Sequence, residues 1–139
     1  MPPRFEPILE ALCARSARLL RPFHVPLPGA RSIRHCGRVA LIFDAGTLTV
    51  TPSEDARELA VKWIPGEIQE PDDGLPMDEE DPWWKVLGNP LCRAWALSDP
   101  DTDARAIELQ LRPDDANPKR LRLALDGAGV RVSEASPGR

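Results

Sequence analysis

Two runs in the last third of the chain limit its fold more than any other feature. Arg105-Ala-Ile-Glu-Leu-Gln-Leu-Arg112 and Lys119-Arg-Leu-Arg-Leu-Ala-Leu125 alternate polar and apolar residues with period two. Successive side chains of a strand point to opposite faces, so each run has one wet and one dry face. A helix would need apolar residues three and four apart instead. Turn chemistry closes both runs. Ser98-Asp-Pro-Asp-Thr-Asp103 precedes the first, Pro113-Asp-Asp-Ala-Asn-Pro118 joins them, and Asp126-Gly127 leads into Val130-Arg-Val132. The same pattern recurs upstream in Val39–Asp44, Thr47–Thr51 and Leu59–Ile64, read as a three-stranded meander, and in Cys92–Leu97.

Sixteen prolines in 139 residues reinforce this reading. Average usage would give about seven. Proline removes a backbone donor and is excluded from helix interiors and central strands, so the elements are expected to be short. Residues 22–37, with Pro22, Pro26, Pro28, Gly29 and Gly37, are expected to connect without a regular element.

One stretch has helical spacing. Phe5, Ile8, Leu9, Leu12, Leu19 and Leu20 recur at three and four residues over 5–21, and Pro22 stops the run. Leu12 and Leu19 should pack on the sheet, with Arg15 and Arg18 in solvent. The expected fold is thus α+β: an N-terminal amphipathic helix packed on a mainly antiparallel sheet of about six to seven short strands. Residues 1–139 suit a single domain, with an acidic loop at 67–81 and a frayed tail at 136–139. Trp95, Ile107, Leu109, Leu123 and Leu125 are expected in one core cluster.

Charge is segregated. Residues 67–81 hold eight acids and no base, whereas residues 1–38 hold seven Arg and two acids. The carboxylates either face the chain's own Arg15, Arg18 and Arg21 or dock a basic partner. The partner-binding candidates are Asp72, Asp73, Asp78, Glu79, Glu80, Asp81 and Trp83. Asp81 suits an N-cap for a helical turn over Pro82–Leu87 ended by Gly88. Of the neighbours Trp83 and Trp84, one should be more exposed than the other, because they diverge by about 100° on a turn.

Trp84-x-x-Leu87-Gly88-x-x-Leu91-x-x-x-Trp95, followed by a polar turn and an alternating strand, resembles a pattern in a family of small uncharacterised bacterial proteins. That resemblance covers about the last sixty residues and implies no activity, cofactor or site residue.

Chemistry is sparse. His24 and His35 are the only histidines, and His35 adjoins Cys36. Strand neighbours point apart, so that pair would not converge on a substrate. A small hydrolase using His with Cys or a carboxylate is the rival to protein binding, and a purely structural or oligomerisation domain is the third reading. The three cysteines form no Cys-x-x-Cys pair, and the acidic run lacks the spacing that wraps oxygens around calcium. Neither metal nor cofactor is expected. The aspartates at 99, 101, 103, 114 and 115 read as turn formers. A net charge of −4 disfavours nucleic acid. No apolar run reaches membrane-spanning length and the N-terminus lacks a signal-peptide core, so the expected compartment is the cytoplasm. The reading at this point is an inhibitor-like or immunity-like protein that binds a basic protein, with homo-oligomers left open.

Overall fold

Antiparallel pairing of strands that follow one another in sequence builds most of the protein. The computed structural model describes residues 6–27, 35–54, 58–66, 70–80, 83–97, 106–111, 119–127 and 129–135. Phe5, Asp81, the turn aspartates at 99–103 and 114–115, and the tail 136–139 lie outside them. The order is α1 (Glu6–Ala14), β1 (Leu19–Pro26), β2 (His35–Phe43), β3 (Gly46–Pro52), β4 (Leu59–Pro65) and β5 (Leu75–Pro76). A 3-10 turn (Trp83–Lys85), β6 (Leu91–Leu97), β7 (Ala106–Leu111), β8 (Lys119–Asp126) and β9 (Gly129–Ala135) follow.

One sheet runs β4-β3-β2-β9-β8-β7-β6, curled into a half-barrel, with β1 paired to β2 and β5 to β1. Strand β2 is the joint between the two meanders. Its Val39–Phe43 portion pairs with β3, and His35 and Cys36 pair with Arg131 and Val130 of β9. Among the described residues 64% are strand and 11% helical, so the class is mostly β and not the expected α+β.

The helix is the main reason for that correction. It ends at Ala14, and Ser16 takes a left-handed φ of 50°. The amides of Ser16 and Ala17 close the end by bonding to the carbonyls of Cys13 and Leu12. Leu19 and Leu20, which seemed to extend the helical stripe, belong to β1, where Leu19 is buried and Leu20 exposed. Leu9 and Leu12 are buried as the stripe requires, and Arg15 and Arg18 are exposed. The helix packs along β6 and shares a groove with Trp63 of β4, so it lies between the two end strands of the curl.

Strand β1 is the second correction, since residues 22–26 were expected to be irregular. Pro22 and Pro26 are tolerated because β1 has a full partner only on its β2 side; β5 covers just Phe23 and His24 on the other.

The inner face of the curl is one apolar cluster. Leu123 lies opposite Ile107 and Val132, and Leu121 lies opposite Leu109, all fully or nearly fully buried. Leu125 packs against this cluster from its edge. Trp95 does not join it. A bulge between Leu91 and Arg93 sets Ala94 opposite Leu109 and Trp95 opposite Glu108, which turns the tryptophan to the outer face.

The β2–β3 hairpin depends on Gly46, whose φ is +152°. A Cβ there would sit 2.3 Å from the Ile64 carbonyl oxygen. Gly46→Ala is therefore expected to lower stability by more than about 1 kcal/mol in denaturant unfolding. An unchanged midpoint would show that β3 and β4 separate freely at this point.

Candidate partner-docking surface

The acidic segment is fastened to the sheet along β1. Leu75 and Pro76 pair with His24 and Phe23, and the Met77 amide donates to the Pro22 carbonyl at 2.9 Å. Met77 is buried and so anchors the segment. The chain then turns through bonds from Glu80 to Met77 and from Trp84 to Glu80, both 3.1 Å. Beyond the 3-10 turn, Gly88 donates to Leu19 at 2.7 Å and Leu91 to Ala17 at 2.8 Å.

Two adjacent tryptophans take opposite roles on this turn. Trp83 is fully buried, and its Nε1–H donates to His24 Nε2 at 2.9 Å, with the rings edge to face at 5.9 Å. An acceptor at Nε2 carries no proton, so this bond also fixes the state of that nitrogen. Trp84 is 55% exposed, with the Lys85 ammonium 5.9 Å from its ring. Trp83, offered above as a partner contact, is therefore a core anchor, and Trp84 is the residue at the surface. Adjacency alone could not decide between them. The hydrogen-bond partner that selects Trp83 sits 59 residues away.

The carboxylates divide likewise. Arg21 pairs with Asp78 at 3.2 Å and Glu70 at 3.4 Å, and Arg38 pairs with Asp73 at 3.5 Å. These groups are substantially exposed, so each pair contributes roughly 0–1 kcal/mol. Asp72, Glu79 and Glu80 are exposed and make no ion pair among the described residues. Of the three arginines that the internal-pairing alternative named, only Arg21 meets the segment among the described residues. Arg18 bonds instead to the Gly88 carbonyl and, through its amide, to Asp44. Arg38, which sequence reasoning missed, takes part because β2 lies beside β1.

The histidines and cysteines do not assemble a reactive site. His24 is occupied by Trp83, and His35 Nε2 lies 2.9 Å from the Asp126 carbonyl, which can only accept. Asp126 is bonded by Arg131, which lowers its carboxyl pKa below the ordinary value. Cys36 points the other way, is buried, and places its thiol 3.6 Å from the Val130 carbonyl. Burial pushes the Cys36 thiol up to about 11, against a smaller lowering by the Arg38 backbone, so it is protonated and a poor nucleophile at neutral pH. Burial likewise raises the Cys13 thiol, with Cys92 and Glu10 adding to it. Among the described residues no three His, Cys, Asp or Glu side chains group to hold a metal. No helix among them is long and apolar enough to cross a membrane.

Cys36 gives a pH prediction. Its folded pKa lies above the ordinary 9.0, so its contribution is complete below pH 9 and is lost as pH rises towards 11. The melting temperature of the wild type should fall more steeply across that window than that of Cys36→Ala. Parallel curves would show that the thiol ionises equally well in the folded protein.

The residues of the Trp-x-x-Leu-Gly pattern now have positions. Trp84 is exposed, Gly88 takes a φ of 77°, Leu91 is buried, and Leu87 and Trp95 are partly buried. Neither a family model, nor a curated protein, nor a solved structure matches this chain.

Proposed function

We propose that the protein binds a basic protein partner through the corner formed by Glu79, Glu80 and Trp84, with Asp72 as a further exposed carboxylate of the same segment, in the cytoplasm, in the manner of an inhibitor or immunity protein. The observation that carries this reading is an exposed tryptophan beside exposed carboxylates, on backbone fastened to the sheet. A large aromatic held in place is the usual anchor of a binding hot spot, and rim carboxylates steer a basic surface towards it. Fixing Trp84 in advance also reduces the ordering cost on association. The kinship with small bacterial proteins belongs to this proposal and supplies no activity of its own.

The test uses the immobilised full chain and extract of the native host. Glu79→Gln with Glu80→Gln should lower the retention of a basic protein and flatten its dependence on salt, because screening acts within about 8 Å at physiological strength. The melting temperature should hardly move, since neither carboxylate is in an ion pair among the described residues. Unchanged retention and unchanged salt dependence would reject docking through this corner.

A further inference from the structure

We propose that the basic surface this corner recognises is carried by a second copy of the same chain, on the outer face of β6, β7 and β8. This inference rests on the docking reading above. Cross-strand pairing lays two rows on that face: Trp95, Glu108 and Arg122 in one, and Arg93, Gln110 and Arg120 in the other. Glu108 is only 4% exposed and holds the array together. It accepts from Arg122 Nε at 2.9 Å and lies 3.8 Å from Arg120. Arg120 also donates to the Gln110 side-chain oxygen at 3.2 Å, and its guanidinium sits 5.0 Å from the Trp95 ring centre. Its Nε is buried without a hydrogen-bond partner. Arg93 lies 5.9 Å from the same ring and is exposed.

Three arginines against one glutamate leave these two rows with a net charge of +2. The guanidinium groups are oriented before any partner arrives, which lowers the cost of using them. The Trp84 corner is the complement, with two exposed carboxylates, Glu79 and Glu80, that have no ion pair among the described residues. Among the described residues no hydrogen bond or ion pair joins Glu79 or Glu80 to Arg93, Arg120 or Arg122, so the two surfaces can meet between copies. A nucleic acid is the weaker occupant, because the chain carries −4 overall and the array keeps a carboxylate at its centre. The contact joins two different patches, so copies would add head to tail, closing a ring or growing with concentration.

Sedimentation velocity over a concentration series at low and high salt tests this, with melting temperatures as folding controls. The wild type should associate, and more weakly at high salt. Arg93→Glu alone, and Glu79→Arg with Glu80→Arg, should each weaken association by about tenfold or more. Mixing these two variants should restore a complex, because each retains the surface that the other has lost. A wild type that stays monomeric throughout, or association that neither variant alters, overturns the proposal. So does a fluorescent single-stranded oligonucleotide that binds the wild type and not Arg93→Glu in the absence of self-association. If the wild type is monomeric while Glu79→Gln with Glu80→Gln still loses a basic protein from extract, self-docking fails and the corner's docking role stands. If retention is also unaffected, both fail.

Discussion

Trp83→Ala is expected to lower stability by about 3–5 kcal/mol, whereas Trp84→Ala should change it by less than about 0.5 kcal/mol. The residues are chemically identical and adjacent, so the contrast isolates their surroundings. Trp83 is fully buried with Val86 and Leu91 in the main core, and truncation would leave a cavity there. It would also remove the donor to His24, itself buried. Trp83→Phe should fall between the two, since it keeps most of the packing and loses the bond. Because Trp83 pins the turn that presents Trp84, its loss should also weaken partner retention, through disorder of the corner. Guanidinium unfolding of the three variants is the check, and equal costs at the two positions would mean that the assignment of faces is inverted.

The second large effect concerns the sheet. Leu109→Ala should cost about 2–5 kcal/mol. Leu109 is 1% exposed, lies opposite Ala94 and Leu121, and belongs to the main apolar core. Trp95→Ala, although it deletes a larger side chain, should cost less, because Trp95 is only half-buried on the outer face, against arginines. A loss below about 1 kcal/mol at Leu109 would mean that β7 presents its other face to the core, since a slip of one residue exchanges the two faces.

These expectations trace what the sequence made legible. Strands β3, β4, β7 and β8 were readable because apolar residues that face the core recur at every second position, Leu48 and Val50, Leu59 and Val61, Ile107 and Leu109, and Leu121 and Leu123. Strand β1 was hidden by its prolines, which a strand with only a two-residue partner on one side tolerates. The helix was read too long because Leu19 and Leu20 continue its spacing by coincidence; the left-handed turn at Ser16 leaves no composition signal. Trp95 was misplaced by size. The largest apolar residue of β6 is on the outer face, and the small Ala94 and Ala96 pack against the core.

The acidic segment was legible as charge and not as structure. Its density of carboxylates marked it as a surface, but the pairing of Arg21 and Arg38 with three of them depends on β1 lying beside β2, a contact that local sequence does not encode. That pairing narrows the docking candidates to Asp72, Glu79 and Glu80 with Trp84, while Asp81 lies outside the described residues.

The most direct measurement is the amount of partner, whether a basic host protein or a second copy of the chain, retained by immobilised Trp84→Ala relative to wild type, with the melting temperatures of both. Docking through this corner predicts that retention falls by about tenfold or more while the melting temperature stays within about a degree. Full retention by Trp84→Ala at an unchanged melting temperature would contradict it.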